Sequence, residues 1–128
     1  MHVSSFFAAP MLLLCGAAAM AQPAPTVMVQ MSNFKFTPNK IVLDHGRPYV
    51  LRLVNVAGGG HDFTAPTFFS AANIAPADRH FMAEGEVEVP AGQAIDIHLT
   101  APAAGSYKVK CSHAFHKMFG MSGTIVVR

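Results

Sequence analysis

An all-β sandwich of about seven or eight short strands is the fold the sequence predicts. Two observations predict it. Short runs alternate apolar and polar residues, the period of a half-buried strand. Turn residues (Gly, Pro, Asn and Asp) recur between those runs. The chain holds no internal repeat and no low-complexity segment, so neither a solenoid nor a disordered polymer competes with this reading.

The elements follow in order. Thr26 to Gln30 (TVMVQ) is the first run, and Asn33 to Phe36 (NFKF) alternates until Pro38 stops it. Lys40 to Leu43 leads into a turn at Asp44-His45-Gly46. Pro48 to Asn55 alternates most strongly, with Tyr49, Leu51 and Leu53 on one face. Gly58-Gly59-Gly60 breaks the pattern and His61 to Thr64 resumes it. Residues 65 to 83 are less regular and have room for a short helix at 68–74. Glu86 to Val89 is a strand that turns at Pro90-Ala91-Gly92. Gln93 to Thr100 points Ile95, Ile97 and Leu99 inward, and Ala101 to Gly105 turns again. Tyr107 to Cys111 and Gly123 to Val127 complete the set. Each strand offers one apolar face to a shared core.

Residues 1 to 21 stand apart. Phe6 to Ala19 is an apolar run broken by Pro10, and Ala19-Met20-Ala21 has the small-x-small form of a signal-peptidase site. The run is too short and too interrupted to span a membrane. Residues 1–21 are therefore expected to be a secretory signal peptide, leaving residues 22–128 as one domain. Removing 21 of 128 residues leaves 107, enough to bury a core without staples. Cys15 falls in the leader, and Leu14 before it is not the small residue that lipidation favours. The net charge of +2 is too mild to imply nucleic acid or a membrane surface, and no basic-aromatic interleaving is present.

Cys111 is then the one cysteine of the exported domain, and it cannot form an internal disulfide. It opens the stretch CSHAFHKMFGMSG, which also holds His113, His116, Met118 and Met121. His116 and Met121 follow the cysteine by five and ten residues, on the loop to the last strand. A loop pinned by strands at both ends can turn these donors to one point. His61, after three glycines at a strand edge, is the natural fourth donor, because glycine lets backbone approach closely. Two imidazoles, a thiolate and a weak axial thioether describe a blue-copper electron-transfer site.

GGGHDF, YKVKC, the C-x4-H-x4-M spacing with GTIVV behind it, and VPAGQAIDIHLTAPAAGSY together resemble the cupredoxins, the small type 1 blue copper proteins. The loop spacing is similar to that of auracyanin-like and plant-type (plastocyanin-like) members. The resemblance covers the mature chain and implies a Greek-key β-sandwich with one copper ion at one end. It implies His61, Cys111 and His116 as equatorial ligands and Met121 as the axial one. It also implies that the Gly60 carbonyl lies near the metal, and that Asp62 ties the ligand loops together near Ser112. Ala114-Phe115 replaces the Pro-Gly that relatives carry before the loop histidine. Met118 stands as an alternative axial donor, and His113 as a residue packed beside the ligands or an extra donor.

The expected function is single-electron transport between redox partners by Cu(II)/Cu(I) cycling, in the periplasm or outside the cell, without enzymatic activity. Phe115, Met118 and Phe119 form an apolar collar around His116, which either packs on neighbouring loops or docks a redox protein. A monomer is expected, with no nucleic-acid partner. The alternative is copper binding for delivery or resistance, which the extra donors His113 and Met118 favour. A multicopper oxidase needs further histidines beside the cysteine, where this chain has Lys110 and Ser112. A binuclear electron-entry site needs a second loop cysteine.

Overall fold

The computed structural model describes residues 13, 15–18 and 22–128. The cleavage motif Ala19-Met20-Ala21 and most of the predicted leader lie outside the described residues. Cys15, which is described, is exposed.

The chain forms β1 (Thr26–Ser32), β2 (Lys35–Thr37), β3 (Lys40–Leu43), β4 (Pro48–Asn55) and β5 (His61–Thr64). A short helix α1 (Pro66–Ala71), β6 (Asn73–Ile74), a 3-10 turn (Pro76–Phe81) and β7 (Met82–Ala83) follow. Then come β8 (Glu86–Val89), β9 (Ala94–Thr100), β10 (Gly105–Lys110), α2 (Ala114–Met118) and β11 (Ser122–Val127). One sheet has the order β2-β1-β4-β9-β6 and the other β3-β11-β10-β5-β8-β7. β1 runs parallel to β4, and β3 parallel to β11. The β-sandwich expected from the sequence is the fold observed. Its strand count rises to eleven among the described residues because two-residue strands extend both sheets.

Strand alternation builds the core. β4 buries Tyr49, Leu51, Leu53 and Asn55 and turns the intervening residues outward. Leu53, Met31 and Ile97 from one sheet meet Phe63, Val87 and Ile125 from the other, all nearly inaccessible. Burying each such side chain contributes roughly 1.5–3 kcal/mol.

Three local expectations need correction. Asn33 and Phe34 belong to a turn, not a strand, and Lys35–Thr37 folds back against Gln30–Ser32. The helix expected at 68–74 begins earlier, at Pro66, where proline loses no helical hydrogen bond. It ends at Ala71, because Ala72 is extended and Asn73-Ile74 pairs with β9. Residues 73–83 are more ordered than their sequence suggests. They pass from the edge of one sheet at β6 to the edge of the other at β7. Among the described residues no helix is long and apolar enough to cross a membrane.

Candidate metal centre

β5 and β10 run antiparallel, and the last residue of β10, Lys110, pairs with the last of β5, Thr64, so the chain beyond β10 heads back toward His61. His61 is the first residue of β5, and Cys111 follows β10 directly. The approach to His61 is held by Asn55, which is itself buried. Its amide donates to the carbonyls of Gly59 and Val89, both at 2.9 Å, and its oxygen accepts from the Ala57 N–H. At Gly60 a Cβ would stand 2.7 Å from Glu88 Oε1, so the position has space for glycine alone unless that side chain moves.

The loop after Cys111 contains the five-residue helix α2, a segment expected from the sequence to be loop. Gly120, at φ +73, reverses the chain after the helix and returns it to β11. Two backbone bonds close the loop. The Cys111 N–H donates to the Met121 carbonyl at 3.1 Å, and the Met121 N–H to the His116 carbonyl at 3.0 Å. Cysteine, histidine and methionine are thereby tied to one another through main chain, without dependence on their side chains.

His61, Cys111 and His116 each present a donor atom, all within 4.8 Å of one another. Cys111 Sγ lies 3.2 Å from His116 Nδ1 and 3.9 Å from His61 Nδ1, and the two rings are 4.2 Å apart. His61 and Cys111 are fully buried and His116 is half-buried. Burial pushes the Cys111 thiol up, against the opposing hydrogen bonds from the Asp62 and His113 backbone. Burial first, and then the neighbouring histidines, pull His61 down, so it is held as the neutral imidazole a metal requires. A protonated thiol can donate to only one of the two imidazoles, and a soft metal ion bound by all three donors would release that proton. Met121 is 1% exposed, whereas Met118 is 72% exposed.

The Cupredoxin-like domain family matches residues 5–127, reaching into the segment read as a leader. The chain is a cupredoxin. Its fold is similar to that of auracyanin B, with TM-score 0.62, 21% identity, and 86% of this chain and 93% of that one covered. Dithionite-reduced auracyanin from the photosynthetic bacterium Roseiflexus castenholzii gives 0.61 at 14% identity, covering 84% and 99%. Auracyanin A, a "blue" copper protein from the green thermophilic photosynthetic bacterium Chloroflexus aurantiacus, gives 0.59 at 20% identity, covering 82% and 100%. No curated protein matches the sequence. At these identities the likeness is one of fold.

Around this donor cluster, Asp62 is fully buried and joins β5 to the loop after Cys111. Its Oδ1 accepts from the Ser112 N–H at 2.8 Å and the Thr64 hydroxyl at 2.7 Å, and its Oδ2 accepts from the Ser112 hydroxyl at 2.5 Å. The Asp62 N–H in turn donates to Cys111 Sγ at 3.5 Å. His113 stacks on His116 at 5.1 Å and donates to Glu88, whose hydrogen bond pulls its pKa up. Phe115, Met118 and Phe119 are all exposed at the rim.

Three neighbours escaped the sequence reading. Glu88 holds His113. Asn33 Oδ1 accepts from His61 Nε2–H at 3.1 Å. Phe34 meets the His116 ring edge-on at 5.2 Å and stacks on Phe119 at 4.7 Å. Asn33 stands at the head of the NFKF run, where only its turn-forming residue type sets it apart.

Proposed function

We propose that this cupredoxin carries single electrons on one copper ion, held by His61 Nδ1, Cys111 Sγ and His116 Nδ1, with the Met121 thioether as a weak axial donor. The observation that carries the reading is the buried Cys111 sulfur faced by two imidazole Nδ1 atoms. When bound, copper supplies a one-electron Cu(II)/Cu(I) couple tuned by its axial ligand.

The chain's own residues do the rest. Asp62 and the closed backbone of the loop hold the donors in one arrangement, so little has to move between oxidation states. His61 is shut away from water, and His116 alone of the two histidines reaches the rim. There it sits among Phe34, Phe115 and Phe119, an apolar surface suited to a redox protein partner that docks and departs. His116 is the electron port. The protein acts as a carrier and not as an enzyme, a reading supported by Lys110 and Ser112 beside the cysteine, which offer no second metal cluster. The leader exports it to the periplasm or beyond, where it works as a monomer.

Copper delivery is the second reading. It is favoured by one observation, the open thioether of Met118 at the rim. One experiment separates the two. Metal-free protein receives one equivalent of Cu(II), and visible and EPR spectra are recorded before and after challenge with a chelator. An intense blue band with narrow copper hyperfine splitting that survives the chelator supports the electron carrier. A pale complex, or a blue one quickly stripped, moves the protein to copper handling.

A further inference from the structure

The β1–β2 turn lies far from every ligand motif, with Asn33 preceding His61 by 28 residues. Its two residues nevertheless touch both histidines. Asn33 reaches His61 from one sheet, and Phe34 lies against His116 and Phe119 on the opposite loop. We propose that this turn is a clamp on the copper site, in which Asn33 selects the His61 tautomer that bares Nδ1 and Phe34 limits the swing of His116. The inference rests on the copper reading above.

A neutral imidazole carries one N–H, on either nitrogen. An amide oxygen has no proton to give, so the bond at 3.1 Å places the His61 proton on Nε2. The Nδ1 lone pair then faces Cys111 Sγ. An outer partner that fixes the tautomer and strengthens the ring as a donor is a recurrent device around metal-bound histidine. For His116 the restraint is apolar. Its ring is flanked by His113, stacked at 5.1 Å, and by Phe34, edge-on at 5.2 Å. Phe34 carries the sheet to the loop, since it also stacks on Phe119 beyond α2.

Asn33 is a positioning residue, and the test separates that role from a merely structural one. A long-range proton–nitrogen correlation spectrum of the isotope-labelled, metal-free protein reads the His61 tautomer directly. The wild type is expected to show Nε2–H alone. Asn33→Leu should populate the Nδ1–H form, and Asn33→Asp, which keeps the shape and the acceptor, should not. Asn33 is exposed, so both variants are expected to fold. In the copper-loaded protein the reduction potential should be lowest in Asn33→Asp, intermediate in the wild type and highest in Asn33→Leu, because a stronger acceptor makes His61 a stronger donor and favours Cu(II). Phe34→Ala should broaden the His116 ring resonances, and Phe34→Tyr should restore them. A wild-type Nδ1–H tautomer, an unchanged tautomer in Asn33→Leu, or potentials that move the same way in both Asn33 variants would overturn the clamp. A wild type that forms no blue complex would instead remove the copper reading, while the tautomer spectrum still decides what Asn33 does.

Discussion

His61 and His116 stand 4.2 Å apart, yet they belong to two different kinds of region. His61 opens a strand and is fully buried, beside a carboxylate that accepts three hydrogen bonds, one from its own strand and two from Ser112. His116 rides on a short helix beside Phe115 and Met118, both exposed. The first region has no freedom to spare. The second is held mainly by its ends, through the backbone bonds of Cys111 and Met121. One half of the site is built as foundation and the other as contact surface, and substitutions in the two should differ in kind.

The largest effect breaks the foundation outright. Cys111→Ser is expected to abolish the intense blue band of the copper-loaded protein entirely, measured by visible absorption. Asp62→Ala comes next. It strands the Ser112 N–H and two hydroxyl groups around a buried void, and should destabilise the metal-free protein by about 3 kcal/mol in urea unfolding. Met121→Leu is expected to keep the blue band and raise the potential, because an apolar axial position favours Cu(I). Met118→Leu should leave the potential where it was. The reverse pattern would move the axial donor to the exposed methionine and erase the contrast between the regions.

A control lies outside both regions. Asp78 accepts from the backbone N–H and Nδ1 of His98, at 2.7 and 2.8 Å. Burial raises its pKa, but these hydrogen bonds and the charge of His98 outweigh it, so the carboxyl ends below its usual range. A lowered folded pKa means stability that is fully present above about pH 4 and lost as pH falls through the folded value. Asp78→Asn should flatten that acid loss, followed by urea unfolding from about pH 5 to about pH 3. The smallest effect is at the rim. Phe115→Ser should change stability by no more than about 0.5 kcal/mol. It should slow electron exchange with a redox partner, measured by stopped flow.

The same contrast governs what was legible in the sequence. Strands such as β4 and β9 were readable because each buries one face and writes the period into its residues. Cys111 and His116 stood out because their chemistry is unusual and their spacing compact, and His61, 50 residues earlier, because three glycines precede it at a strand edge; the structure brings the three together. α2 was not. Phe115, Met118 and Phe119 fall at i, i+3 and i+4, but five residues without a capping motif are too few to establish a helical period, and Cys111 and Met121 fix the ends of the segment. β6 and β7 are two residues each, too short for any pattern. Asn33 was invisible for another reason. Its partner is remote in sequence, and only the packing of one sheet over the other brings the two together.

The last strand in the chain is a middle strand in its sheet. β11 lies between β3 and β10 and pairs with both. During synthesis β3 has no neighbour in its sheet until β11 emerges, and Cys111, His116 and Met121 arrive just ahead of it. Cys111 and Met121 thus follow His61 by 50 and 60 residues, and the strand that completes the sheet comes directly after them. The four donors are complete in sequence only when the strand that closes this sheet is about to follow.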